Sequence, residues 1–435
     1  MKKKVAFHTL GCKLNFAETS TIARTFPEER FERVSPDSHA DLYVINTCTV
    51  TEAADRKCRQ TVRKIIHHNP DAFIAIVGCY AQLRQEEAAA IEGVDLVLGT
   101  YEKFDIASYI DNVDKHTVPE THSCETIDTK EFISSWSAGD RTRSFLKVQD
   151  GCDYHCSYCT IPLARGRSRN PFISEIVEEA DRIIASGVME IVLTGVNVGD
   201  FGKSTGETFE QLLSTLVGIK GLRRLRLSSI EPNLVTEAII ELIAREKVIM
   251  PHIHMPLQSG CDKILGLMHR RYKREVFRDK VIKIKERMPD AGIGADVIVG
   301  FPGETEEDFE DTFRFLESLP VSYLHVFAYS PRPGTPAATM PGKVRKEDKI
   351  RRSRKLIKLS ESKRMSLMRN AEGEIHDVLF EKRSSDNMVA GLTGNYIRVM
   401  VPWRKELPGT VRQVRLTTTR NDASMNGELT DNTIK

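Results

Sequence analysis

Short apolar runs alternate with helical patterns through the N-terminal part of the chain. Residues 5–10, 42–47, 73–78 and 94–99 are apolar or β-branched and bounded by turn formers, which predicts buried strands. Residues 15–25, 51–67, 82–91 and 102–110 carry apolar positions at helical spacing. That alternation predicts a parallel sheet covered by helices. From 114 to 142 periodicity lapses into Thr, Ser, His and charge, a linker with at most one irregular strand. A second, longer series then sets in, with strands at 145–149, 190–194, 224–228, 252–256, 294–299 and 323–328. Six strand–helix repeats predict a partial (β/α)6 barrel open on one side, since eight would need more chain. From about 371 the pattern turns all-β, with strands at 374–381, 387–390, 396–401 and 409–417 and turns at 393–395 and 407–409. This is the size of a small β-barrel. The tail from Asn421 is expected to be disordered. The fold class is α/β, divided as 1–113, a linker at 114–142, a core at 143–370 and a β module at 371–435.

Composition narrows this little. The chain has 435 residues, 40% hydrophobic and 29% charged, ordinary for a soluble globular enzyme. No apolar run approaches the roughly 18 to 20 residues needed to span a bilayer. The basic start, Met1-Lys2-Lys3-Lys4, leads into a strand-like run and not a signal segment, so a cytoplasmic location is expected. Nine cysteines, an odd number over a long chain, fit metal ligation in a reducing compartment better than a disulfide framework. The net charge of +2 is unevenly spread. Between Lys343 and Arg369 twelve basic residues face only Glu347, Asp348 and Glu361, a net of +9. Ile350, Leu356, Ile357, Leu359 and Met365 give that stretch one apolar side. Such an excess on one helix is the footprint of a polyanion binder, RNA first among them.

The chemistry centres on Gly151-Cys152-Asp153-Tyr154-His155-Cys156-Ser157-Tyr158-Cys159. Three thiols spaced C-x3-C-x2-C can converge on one metal centre. Three ligands on a four-iron cluster leave one iron open, whereas a structural zinc site would show four protein ligands. Cys12, Cys48 and Cys79 each follow a predicted strand. Loops beyond the carboxyl ends of parallel strands form the ligand crevice, so these three thiols also point to one site. Later strand ends offer Gly195, where backbone can approach a ligand closely, and Asn197 and Glu231, which suit an amino group or ribose or else cap turns. Arg165, Arg167 and Arg169 read equally as anion contacts or as solvent-facing charge.

The C-x3-C-x2-C run, with Tyr158 before its last Cys, resembles the signature of radical S-adenosylmethionine (SAM) enzymes. The segments 9–15, 46–51 and 78–82 resemble the three auxiliary-cluster segments of the methylthiotransferase family. Stretches 193–197, 228–232, 257–260 and 299–305 resemble that family as well, and the β module resembles the TRAM domain, an OB-like RNA-binding unit. Within the family, 9–15 and 329–335 look most like the branch that modifies threonylcarbamoyladenosine next to a tRNA anticodon.

The resemblance implies two [4Fe-4S] clusters, one on Cys152, Cys156 and Cys159 and one on Cys12, Cys48 and Cys79, with Cys58, Cys124 and Cys261 as bystanders. It implies SAM near Tyr158, Gly195, Asn197 and Glu231. One SAM would methylate a sulfur on the auxiliary cluster, and a second would be cleaved to a radical that activates C2 of the adenine. The partners implied are the tRNA anticodon stem-loop, a reductant such as flavodoxin or ferredoxin and a sulfur donor. No membrane is involved, and a monomer is expected. A threonyl carboxylate needs a cation when buried; Arg332 is the candidate, with Arg165 and Arg167 behind it. Tyr396 and Trp403 are candidates for base stacking or for barrel filling. The alternatives are isopentenyladenosine in tRNA, an aspartate of a ribosomal protein, and a non-catalytic iron–sulfur RNA-binding protein.

Overall fold

The computed structural model describes residues 2–48, 52–110, 113–126, 129, 131–139, 142–381 and 387–430. The predicted residues Thr49 to Thr51 of the second cysteine segment lie outside them. Six strands, β1 (Lys3–Thr9), β2 (Phe31–Val34), β3 (Leu42–Thr47), β4 (Phe73–Gly78), β5 (Leu96–Leu98) and β6 (Glu120–His122), form one sheet in the order β2-β1-β3-β4-β5-β6. Every pairing in it is parallel. β3, β4 and β5 are buried along their whole length, which is why they read as unbroken apolar runs. β2 and β6 are the sheet's edges; β6 is polar and largely exposed, β2 buries Phe31 but is polar at its centre, and neither forms an apolar run. β6 falls within 114–142, and Trp136 in the same stretch bridges antiparallel to Leu146. The expected linker is therefore partly woven into the sheets on either side.

The second series matches the predicted strands: β7 (Arg143–Lys147), β8 (Glu190–Thr194), β9 (Arg224–Leu227), β10 (His252–Gln258), β11 (Gly292–Val299) and β12 (Tyr323–Ala328). β7-β8-β9 and β10-β11-β12 are parallel three-stranded sheets. Parallel bridges Leu225–Ile249 and Ser229–His254 join them into one curved series, with β7 and β12 at its ends. Leu225, Ile253 and Ile293 belong to the main hydrophobic core under the helices. Arg224, Arg226, His252 and His254 alternate with those apolar positions, so the opposite, inner face is polar.

β13 (Ile375–Phe380), β14 (Met388–Leu392), β15 (Arg398–Pro402), β16 (Val411–Thr419) and β17 (Met425–Leu429) close into a barrel in the order β13-β14-β15-β17-β16. β17 corrects the expectation of a disordered tail from Asn421. Its sequence is polar, but Met425 is fully buried and Gly427 lies where an added Cβ would sit 2.4 Å from Val414, so the strand seals the barrel by close packing. Residues 431–435 lie outside the described part.

The barrel is anchored on the core by buried charge. Arg224 donates to the carbonyls of Leu392 and Thr393, and Arg226 to those of Thr393 and Gly394. Both guanidiniums pair with the buried Glu190, at 2.7 and 3.0 Å. Burial alone would raise the Glu190 carboxyl, but Arg226 and Arg224 outweigh it and hold it at about 2. The depressed value means that this contribution to stability is complete above about 4.5 and is lost as pH falls through about 2. Glu190→Gln leaves two buried cations underpaired and is expected to cost about 3–5 kcal/mol, read as a lowered urea midpoint at neutral pH. The difference from the parent should shrink as pH falls toward 2.

The basic segment forms the helix Lys346–Asn370. Its charge is partly answered within the chain: Arg351 and Arg352 pair with Glu306, Arg352 with Glu304, and Lys355 with Glu310. Leu356 is buried, but Ile350 and Ile357 are exposed, so the inward face is shared by Leu356, Arg352, Ser360 and Met368. Among the described residues, no helix is long and apolar enough to cross a membrane.

Candidate functional site

Cys12 precedes the helix Lys13–Thr25 after β1, Cys48 follows β3, and Cys79 opens a short helix after β4. These strands are neighbours in the sheet, so the three thiols sit side by side at its carboxyl edge. The approach is close: a Cβ on Gly11, whose φ is +117°, would lie 2.5 Å from the Cys48 Cβ. Asn15 ties the loops together, donating to Leu10 O and Thr47 O at 2.9 Å each.

The second set lies beyond the end of β7. Cys152 N donates to Gly166 O and Cys159 N to Cys156 O, while Ser157 is clasped by Met268 O and Leu267 O. His155 is exposed. Burial pushes the Cys152 and Cys159 thiols up to about 12 and raises Cys156. Bare thiols here hold their protons at neutral pH, so metal binding must displace them. Three thiolates per set suit a four-iron cluster with one iron left open.

A buried ion cluster joins the two sets. Arg165 donates to Glu18 at 2.8 Å, Asp150 at 3.0 Å and the Asn15 Oδ1 at 3.0 Å, and Lys103 reaches Glu18 at 2.6 Å. Burial opposes ionisation of Glu18, but Arg165, Lys103 and Lys147 prevail and hold its carboxyl at about 2. Arg165 is thus engaged by interior partners. Arg332 is likewise engaged within the chain. It is buried and pairs at 2.7 Å with Asp55, on the helix Glu52–His68 of the N-terminal part. Arg167 is exposed. Gly195 approaches Gln149, whose Oε1 would lie 2.9 Å from an added Cβ, so its smallness serves packing and not a ligand.

Asn197 and Glu231 do come together: Glu231 N donates to Asn197 Oδ1 at 3.3 Å. Asn197 N is held by Gln149, yet its buried Nδ2 has no hydrogen-bond partner. An orphaned donor beside the cysteine loop fits the carboxylate or ribose oxygens of SAM. Glu231 pairs with Arg270, which donates to Cys156 Sγ at 3.2 Å and to Tyr158 OH at 3.4 Å. Arg270 was not singled out in the sequence; its only signal there is the run His269-Arg270-Arg271-Tyr272 after a short helix. A cavity of about 230 Å3 opens beside Cys159, bordered by Tyr158, Gln258, Asp296, Phe327 and Tyr329. Cys261 packs in the same apolar cluster as Tyr158, Phe301 and Tyr329. Tyr396 does not face solvent as a stacking platform: its ring stacks on His252 at 4.4 Å, whereas Trp403 is exposed.

An open parallel barrel with a three-thiol loop beyond its first strand defines a radical SAM enzyme. Residues 146–316 match the Radical SAM superfamily, and residues 4–99 match Uncharacterized protein family UPF0004. The solved structure of the radical SAM methyltransferase TsrM from Kitasatospora setae shares the fold, with a TM-score of 0.53 at 16% identity over 78% of this chain and 74% of that one. The threonylcarbamoyladenosine tRNA methylthiotransferase MtaB of Bacillus subtilis is 40% identical over 95% of this chain and 93% of its own length. The tRNA-2-methylthio-N(6)-dimethylallyladenosine synthase of Carboxydothermus hydrogenoformans is 34% identical over 94% of this chain and 95% of its own. The chain belongs to the radical SAM methylthiotransferase family, whose cofactors are SAM and [4Fe-4S] clusters.

Proposed function

We propose that the chain methylthiolates tRNA at C2 of N6-threonylcarbamoyladenosine next to the anticodon. The observation that carries the substrate is the order of its relatives. Those named for threonylcarbamoyladenosine are 36–40% identical, and those named for dimethylallyladenosine 32–34%. The lining of the cavity supports it: Gln258 and Asp296 offer hydrogen bonds that a threonyl hydroxyl and carbamoyl amide use and an isopentenyl chain does not.

In this reading Cys152, Cys156 and Cys159 hold one cluster and Cys12, Cys48 and Cys79 the other. When bound, the cofactors supply a SAM-derived radical and a methylated sulfur. The chain's own groups do the rest. Asn197 Nδ2 and Glu231 hold SAM, Tyr158 and Phe301 wall it, and Arg165 with Glu18 and Asp150 locks the two cysteine sets at a constant separation. The anticodon arm enters along a cleft of about 320 Å3 between core and C-terminal barrel, bordered by Arg143, Arg364 and Arg398. A flavodoxin or ferredoxin delivers electrons, and a separate donor the sulfur.

The test is competition between two tRNAs, one carrying threonylcarbamoyladenosine and one isopentenyladenosine, read by nucleoside mass spectrometry. The first should be methylthiolated at least tenfold faster. Preference for the second defeats the substrate assignment and leaves the enzyme class standing.

A further inference from the structure

Three consecutive strands put a separate group of ligand-type side chains on the polar inner face of the open barrel. His254 on β10, Asp296 on β11 and His325 on β12 each present one atom, and the three atoms lie within 4.8 Å of one another. Asp296 Oδ1 is 3.1 Å from His254 Nε2 and 3.3 Å from His325 Nδ1. A first-row ion with bonds near 2.1 Å places its ligand atoms about 3.0 Å apart when octahedral and about 3.4 Å apart when tetrahedral. Both histidine–carboxylate separations fall between those values, so each histidine stands from Asp296 at a distance that a shared ion would set.

Two further features distinguish this trio from a chance meeting of polar groups. His254 is largely buried, and its Nε2 is turned onto the Asp296 carboxylate at 3.1 Å. Its other nitrogen, Nδ1, lies 2.8 Å from Ser229 Oγ. That contact fixes the ring with Nε2 toward Asp296, the outer-shell arrangement seen on metal-binding histidines. The trio also bridges two open spaces. Asp296 borders the cavity beside Cys159, and His325 borders the arginine-lined cleft.

We propose that His254, Asp296 and His325 bind a divalent first-row transition-metal ion, whose remaining positions take oxygen donors of the substrate. Two imidazoles and one carboxylate suit such an ion and leave positions open. The substrate clause rests on the threonylcarbamoyl reading: with Arg332 paired to Asp55, a bound cation supplies the positive charge that the threonyl carboxylate needs.

The experiment takes the full chain with its clusters reconstituted, passes it over a chelating resin, dialyses it against zinc chloride and measures zinc and iron together. The parent should hold one zinc per chain beyond that of the Asp296→Asn and His325→Ala variants, with iron equal in all three. X-ray absorption at the zinc edge should show nitrogen and oxygen neighbours with imidazole scattering. Zinc bound equally by parent and variants, or a sulfur shell, overturns the site; the trio is then a hydrogen-bonded cluster only. His325 is half-exposed, so its variant tests the site even if Asp296→Asn fails to fold. For the substrate clause, zinc should strengthen binding of threonylcarbamoyl tRNA over unmodified tRNA at least tenfold in the parent and not in His325→Ala. A preference that zinc leaves unchanged overturns that contact. The zinc measurement uses no RNA, so its failure and failure of the substrate assignment are separable.

Discussion

Replacing Cys12, Cys48 and Cys79 together by Ala should lower the iron of anaerobically reconstituted protein from roughly eight to roughly four per chain. Replacing Cys152, Cys156 and Cys159 should remove the other half. The two triple variants are expected to differ in chemistry. The first keeps SAM cleavage by dithionite and loses methylthio product, and the second loses both. The adjacency of β1, β3 and β4 is the basis for treating the N-terminal thiols as one set, since their carboxyl ends converge without any further folding. Cys12 is exposed and Cys48 only partly buried, so Ala at these positions opens little cavity. Ser at Cys58, Cys124 or Cys261 should leave iron unchanged, because Cys58 is buried within its helix, Cys124 follows the edge strand β6 and not β1, β3 or β4, and Cys261 packs in an apolar cluster. Unchanged iron in the N-terminal triple variant would sink the auxiliary-cluster assignment.

What the chain's pattern revealed follows from where each residue's partners lie. β3, β4, β8 and β9 are legible because both faces are buried and every position is selected for that. β2 and β6 have one neighbour each and solvent on the other side, so polar residues serve them equally well. β17 was hidden for another reason: its strand contacts come from β15 and β16, and Asn426, Gly427 and Glu428 at its centre are small or polar. The cysteines stood out because thiol spacing is local. The arginines did not, because a guanidinium's role depends on what it meets. Arg165 meets Glu18, 147 residues away, and Arg332 meets Asp55, 277 away. Neither carboxylate partner is announced by the sequence near its arginine.

Truncation of the chain before Arg369 would not isolate its RNA contacts. Met368 is part of the C-terminal barrel's core, and Arg224 and Arg226 would lose their carbonyl acceptors at 392–394. Loss of tRNA affinity in such a fragment would mix lost contacts with lost stability. Single replacements in the cleft, at Arg364 or Arg398, separate the two.

Arg270→Ala is expected to lower the reduction potential of the cluster on Cys152, Cys156 and Cys159 by about 60–130 mV. The figure is one charge-assisted hydrogen bond, about 1.5–3 kcal/mol, converted for a single electron. The reasoning starts at Cys156 Sγ, which accepts from Arg270 Nη1 at 3.2 Å. An N–H donor on a ligand sulfur stabilises the more negative, reduced cluster, so removing it makes reduction harder. The same guanidinium pairs with Glu231 and donates to Tyr158, so its loss also strands a buried carboxylate. Burial already raises the Glu231 carboxyl against the opposing pull of Arg270, and without Arg270 it should rise further and hold a proton. Reductive SAM cleavage should therefore fall on the order of a hundredfold, through a harder reduction and a disturbed SAM contact together. Arg270→Lys keeps the charge but not the forked geometry that reaches Cys156, Tyr158 and Glu231 at once, so it should recover only part of the potential. The measurement is a redox titration followed by electron paramagnetic resonance, on variants whose iron content matches the parent. A potential within about 20 mV of the parent in Arg270→Ala, with iron intact, would remove the sulfur contact from the account.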